Sequence, residues 1–212
     1  MSVSIGVDEA GRGPILGPMV LAAVAVDEAG AAELASAGVA DSKAFGSGAR
    51  AKQRRRALAA EIERRAVWVH TRVAHPGEID ARVERGELNH LEREMAAELL
   101  RRGPVAAADR IICDGKRLFS PLAREFPGLV AEDRAEDAHL CVAAASIVAK
   151  NLRDVAFEAI ASRYEAEFGP LRGGGYPNAA TRAFIEWHEV TYGRPPEEIR
   201  RSWGRPRAPR PG

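Results

Sequence analysis

Asp8 and Glu9 stand side by side at the end of an otherwise apolar segment, VSIGVDEA. Two carboxylates placed there repel each other and lose hydration unless a cation or solvent receives them. A hard divalent ion such as Mg²⁺ takes carboxylate oxygens and keeps several waters, so about two to four acids converging from different elements suffice to hold one. Neighbouring strand residues point to opposite faces. Both acids therefore reach one ion only if the strand ends or distorts at Glu9, which Gly11 and Gly13 permit; a solvated strand end is the alternative. Asp114 follows the apolar Ile111-Ile112-Cys113 and precedes Gly115-Lys116. The exit of a buried strand beside a glycine is where α/β proteins keep ligands, although a turn aspartate explains it equally well. Glu136 and Asp137 come just before a long helical pattern, where the dipole favours acids and helix capping accounts for one of them. Asp154 belongs elsewhere, because a continuous helix puts it about 27 Å along the axis from Glu136.

The surrounding pattern supplies elements that can position these groups. Residues 3–10 read as a strand and Pro18 to Val26 as a second, almost wholly apolar one, together a hairpin feeding a buried sheet. Residues 50–66 have helical periodicity, WVHTRVAH alternates like a strand, and Ile79 to Leu100 is helical with a break at Gly86. A buried strand over Arg110 to Gly115 leads into a loop with Pro121 and Pro127. From about Ala138 to Phe168 the pattern is one helix whose first part is apolar all round, and Ala143 to Ala145 would let it lie close on the sheet. A glycine loop at 173–177, an amphipathic helix from Ala179 to Tyr192 and an Arg/Pro-rich tail after Trp203 complete the chain. A hairpin followed by strands that alternate with helices favours a mixed sheet with helices on its faces.

A chain of 212 residues with 46% hydrophobic content can bury one sizeable core, which excludes disorder and fibres. No apolar run is long enough to span a membrane and the N-terminus lacks a signal-peptide pattern, so a cytoplasmic protein is expected. Cys113 and Cys141 lack metal-ligand spacing and read as buried free thiols. A formal net charge of +1 gives no global attraction to nucleic acid, so a polyanion site must come from local clusters. The candidates are Arg54 to Arg56, Arg64 with Arg65, and the arginines from Arg200 onward; solvated helix faces explain them as well. Of the four lysines, Lys43, Lys116 and Lys150 fall inside short motifs where a compact ammonium, and not arginine, is used.

Five of those motifs occur in a telling order. VDEAGRGPILGPMVLAAV from Val7, DSKAF from Asp41, ICDGK from Ile112, AAASIVAKNLRD from Ala143 and GGGYPN from Gly173 resemble the motif set of ribonuclease HII, over about residues 3 to 203. The resemblance implies an α/β, ribonuclease H-like mixed sheet flanked by helices over residues 1–168, with a small C-terminal helical appendage and basic tail over 169–212. It also implies four carboxylates that bind Mg²⁺ or Mn²⁺. Asp8, Glu9 and Asp114 match three of them directly. For the fourth, the family's spacing of ten residues before the serine of Ala-Ala-Ser reaches Glu136, with Asp137 one residue late; Glu136 is favoured and Asp137 stays open. Gly11, Arg12 and Gly13 match the loop that contacts the nucleic-acid backbone, where glycines let main-chain N–H groups approach a phosphate and arginine offers a planar fork. Tyr176 matches a tyrosine that lies against the sugar at the RNA-to-DNA step, in a Gly-Gly-Gly-Tyr-Pro frame that departs from the family's His-Lys-Gly-Tyr-Gly. Lys43 and Lys150 match lysines near the site.

The implied reaction is metal-assisted hydrolysis of RNA paired with or joined to DNA, by in-line attack that leaves 3′-hydroxyl and 5′-phosphate ends. The expected partners are RNA–DNA hybrid and duplex DNA containing ribonucleotides, bound by a monomer, with a sliding clamp or polymerase as further partners that the sequence does not specify. Another nuclease of the same fold acting on branched DNA is the alternative reading. A non-catalytic nucleic-acid-binding module is a third, but it has no use for carboxylates that repel phosphate.

Overall fold

The structure, a computed structural model, describes residues 3–40, 46, 48–106 and 109–203. Five strands form one sheet in the order β3-β2-β1-β4-β5: β1 (Ser4–Ala10), β2 (Met19–Val26), β3 (Trp68–Ala74), β4 (Arg110–Asp114) and β5 (Leu129–Glu132). The first three are antiparallel, whereas β4 and β5 run parallel to β1. The sheet is thus mixed, as its sequence pattern predicts.

Helices cover both faces, which is why β2 is apolar at every position. On one face Val20, Ala22, Val24 and Val26 pack against the long helix α6 (Leu140–Phe168) and against α2 (Ala49–Arg65). On the other, Met19, Leu21, Ala23 and Ala25 join Ile5 and Val7 against Leu91, Met95 and Leu99 of α4 (Leu88–Arg102). Gly6 lies in β1 where α6 crosses. A Cβ there would collide with the backbone of Cys141, so this crossing requires glycine. Both cysteines are buried free thiols, as expected.

The helical stretch over residues 79–100 breaks at Gly86, as its pattern predicts, into α3 (Pro76–Glu84), begun by a proline at its first turn, and α4. Two stretches hold elements absent from the sequence expectation. Helix α1 (Glu28–Ser36) starts where Asp27 accepts the Gly30 N–H at 2.8 Å. The loop expected after Gly115 holds a short helix α5 (Lys116–Phe119), a 3₁₀ turn and the four-residue β5, whose Leu129 enters the core. Helix α7 (Ala179–Tyr192) packs on the distal half of α6 through Phe157, Ile160, Leu171 and Phe184. No helix among the described residues is long and apolar enough to cross a membrane.

Candidate active site

Parallel pairing of β1 with β4 runs through Val7 and Cys113, so the next residues, Asp8 and Asp114, stand together at the carboxyl ends of two neighbouring strands. Both face α6. Asp8 is 5% exposed, and its carboxylate takes a hydrogen bond from Ser146 of α6, whose hydroxyl oxygen in turn accepts from Lys150 Nζ at 2.7 Å. Asp114 accepts the Ala135 N–H at 3.1 Å and shares a hydrogen bond with the Glu136 carboxyl. Glu136 arrives on a 3₁₀ turn (Ala135–Asp137) that precedes α6, which begins at Leu140 and not at Ala138. Neither acid caps α6. Asp137 is exposed and ion-paired to Arg134 at 3.0 Å.

Glu9 departs from expectation. The strand neither ends nor distorts there: pairing with β2 continues through Glu9 and Leu21 to Ala10 and Val20. Alternation therefore sends Glu9 to the opposite face from Asp8. It enters the α4 side, within the electrostatic reach of Glu92, Arg12 and Asp114. The four acids straddle the rim of the sheet, and among the described residues no three acid, histidine or cysteine side chains already stand at coordination spacing.

Burial pushes Asp8 up to about 7, helped by repulsion from Glu9 and opposed by Ser146 and Lys150. Burial also raises Glu9 to about 7, with Glu92 adding repulsion and Arg12 opposing it. Asp114 likewise reaches about 7, through burial first and then its hydrogen bond with Glu136. Burial and crowding with neighbouring carboxyl groups thus favour the protonated forms of these acids.

The Gly11–Gly13 loop adjoins this rim. Gly11 has a φ of +84°, and a Cβ there would meet Pro18 O at 2.7 Å. The Arg12 side chain is anchored, not free: one guanidinium nitrogen pairs with Glu92 and the other donates to Asn89 Oδ1 at 2.7 Å. Glu92 is wholly buried on α4. Tyr176 is 50% exposed and lies over Gly13, with the Arg153 guanidinium 5.7 Å from its ring centre. The altered glycine frame still brings Tyr176 to the glycine loop, because Gly175 O accepts the N–H groups of Ile15 and Leu16.

The basic clusters fare differently. Arg55 pairs with Asp154, Arg56 with Glu158 and Arg65 with Glu61, so these charges are largely answered within the fold. Lys43 lies outside the described residues. Sequence reasoning missed Glu92 and Arg153, and it placed Arg200 in a basic tail cluster, whereas the side chain is buried. A charged residue at a core position of a helix was the available signal for the first two: Glu92 shares the apolar face of Leu88, Leu91 and Met95, and Arg153 lies one turn beyond Ala149. Nothing in the sequence distinguished Arg200 from the other arginines of that cluster as the one whose guanidinium turns inward.

The sequence profile of the family described as ribonuclease HII matches residues 5–205. The chain belongs to the ribonuclease HII family. It is a type 2 ribonuclease H endonuclease, and its mixed sheet flanked by helices is the ribonuclease H-like fold of that family. Ribonuclease HII from Methanothermobacter thermautotrophicus is 38% identical over 208 residues, covering 94% of this chain and 95% of that protein. The crystal structure of ribonuclease H2 from Pyrococcus horikoshii OT3 superposes with a TM-score of 0.80 at 30% identity, covering 95% and 94% of the two chains. The Archaeoglobus fulgidus ribonuclease HII, solved as a complex with PCNA, gives 0.77 at 29% identity and 98% coverage of each chain.

Proposed function

We propose that this ribonuclease HII cuts the RNA strand of RNA–DNA hybrids and also cuts at ribonucleotides embedded in duplex DNA, leaving 3′-hydroxyl and 5′-phosphate ends. The observation that carries this reading is the juxtaposition of Asp8, Asp114 and Glu136, with Glu9 across the rim, beside a glycine loop overlaid by an exposed tyrosine. The donor set fits a hard divalent ion: oxygens only, crowded, and raised in proton affinity by burial and by one another. We assign Asp8, Glu9, Asp114 and Glu136 as the carboxylates that hold Mg²⁺ or Mn²⁺: Asp8, Asp114 and Glu136 from the α6 side of the rim, and Glu9 from the α4 side, where it would serve a second ion. When bound, such an ion supplies charge stabilisation at the phosphoryl oxygens and a lowered proton affinity for water.

The remaining roles fall to the chain's own side chains. Lys150, tied through Ser146 to Asp8, adds positive charge at the α6 side of the rim, where a phosphate would lie. Gly11 and Gly13 let the strand approach the main chain, and Tyr176 offers a half-exposed ring to a sugar. We read the protein as a cytoplasmic monomer acting on nucleic acid, with a clamp of the PCNA kind as a further partner. Mapping products on a duplex with one ribonucleotide tests the function: incision on its 5′ side is expected, and an all-DNA branched junction should stay intact. Cleavage of the junction would favour the branched-DNA reading.

Two outcomes follow from the geometry. Tyr176→Ala is expected to lower kcat/KM on the single-ribonucleotide duplex more than on a long hybrid, because stacking at one sugar contributes about 1 to 3 kcal/mol at one step. Equal losses on both substrates would show that Tyr176 does not read the junction. The second concerns pH. Asp8, Glu9 and Asp114 keep protons in the native state up to about 7, whereas the unfolded chain releases them near 3.8 to 4.5. The stability they contribute is full below that lower range and is lost as pH rises through about 7. Without divalent ions the melting temperature should therefore fall between pH 5.5 and pH 8, by roughly 2–4 °C for each kcal/mol lost. Added Mg²⁺ or Mn²⁺ should raise it more at pH 8, since the ion displaces those protons. A metal-free protein that melts higher at pH 8 would contradict the assignment.

A further inference from the structure

Arg200 lies in the C-terminal segment, yet its side chain ends beneath the glycine loop and is 1% exposed. Its three guanidinium nitrogens donate to three carbonyl oxygens of one loop: Nη2 to Gly11 at 2.6 Å, Nη1 to Arg12 at 3.1 Å and Nε to Gly17 at 2.9 Å. The main chain reinforces the grip, since the Arg200 N–H donates to Ile15 O and the Gly17 N–H to Glu198 O, both at 2.8 Å. Trp203 seats the guanidinium from the side, 5.0 Å from its ring centre.

The peptide units are trans, so a carbonyl drawn toward Arg200 turns the N–H of the same unit away from it. The carbonyls of Gly11 and Arg12 belong to the units that carry the N–H groups of Arg12 and Gly13. Those two N–H groups thus point away from the buried cation, and among the described residues neither meets an acceptor. Successive outward N–H groups form an anion-binding concavity. The Arg12 side chain is meanwhile held by Glu92 and Asn89, which leaves the main chain as the freer half of the loop.

We propose that Arg200 is a positioning residue: its fork on Gly11, Arg12 and Gly17 presets the loop so that the Arg12 and Gly13 N–H groups face a phosphate of the bound strand. This rests on the reading of the glycine loop as a nucleic-acid contact. Lysine keeps the charge but presents no planar fork. In the full chain, Arg200→Lys should weaken binding of a single-ribonucleotide duplex, measured without divalent ions, by about tenfold or more, and should also lower the melting temperature, because loop carbonyls lose their donors. Asp80→Asn serves as the contrast, because Asp80 accepts the N–H groups of Arg201 and Ser202 at 2.8 and 3.0 Å without touching the loop. It should lower the melting temperature and leave the Kd within about twofold. An Arg200→Lys Kd within twofold of the parent's, or an equal loss in Asp80→Asn, overturns the proposal.

Amide hydrogen exchange on the unmodified chain separates this inference from the reading beneath it. Protection of the Arg12 and Gly13 amides on adding the duplex is expected; its absence overturns the loop reading and the proposal with it. Protection together with a parent-like Arg200→Lys overturns only the role of Arg200. Should Arg200→Lys not fold, Trp203→Leu removes the seat of the guanidinium and should still weaken binding, whereas unchanged binding counts against the fork.

Discussion

Asp8→Asn is expected to lower cleavage of an RNA–DNA hybrid by about 10³-fold or more, close to 4 kcal/mol of barrier at 1.36 kcal/mol per tenfold, while hybrid binding changes little. Asp8 is the most enclosed of the four acids and shares the end of the sheet with Asp114. Asparagine keeps its size and can still accept from Ser146, so the packing against α6 is preserved. Only the negative charge goes, and with it an oxygen donor for a divalent ion. The contacts assigned to binding, the glycine loop and Tyr176, are untouched. A second readout sharpens the test: without divalent ions at pH 8, the variant should melt above the parent, because a buried charge repelled by Glu9 has been removed. Parallel loss of cleavage and binding would make Asp8 a structural residue.

Glu136→Gln is expected to lower metal-dependent turnover at least about tenfold, or 1.4 kcal/mol, and Asp137→Asn to change it little. Each residue of a 3₁₀ turn rotates the side chain by about a third of a circle. Glu136 is thereby directed to Asp114 and Asp137 to Arg134 and solvent. An exposed pair of this kind contributes roughly 0–1 kcal/mol, which bounds the stability cost of Asp137→Asn. Assaying both variants across several Mg²⁺ concentrations decides the matter: turnover lost in Asp137→Asn and kept in Glu136→Gln would transfer the fourth carboxylate to Asp137.

Several features of the site were legible in the sequence because they violate local pattern. Carboxylates at the ends of apolar strands, and glycines where strands give way to loops, demand a reason that hydropathy does not supply, and this singled out Asp8, Glu9, Asp114 and Gly11. The apolar start of α6 and the uniform burial of β2 were readable for the same reason, since periodicity reports which faces are covered. Short or weakly patterned elements escaped: β5 pairs over only four residues, and the alanine-rich α1 has no strong apolar face.

What only the tertiary structure decided is which distant groups meet. Unbroken β1–β2 pairing sends Glu9 to the α4 side, opposite Asp8, a consequence of strand continuity that the two glycines left open. Packing of α4 brings Glu92 to the Arg12 guanidinium across 80 positions, and the return of the C-terminal segment puts Arg200 under Gly11 across 189. Folding also answers Arg55 and Arg56 of α2 with Asp154 and Glu158 of α6. Hydropathy and spacing carry information over a few turns of chain. Ion pairs and hydrogen bonds between remote elements depend on topology and on the cost of burying charge, and those are settled only when the sheet, its crossovers and the C-terminal segment close around one another.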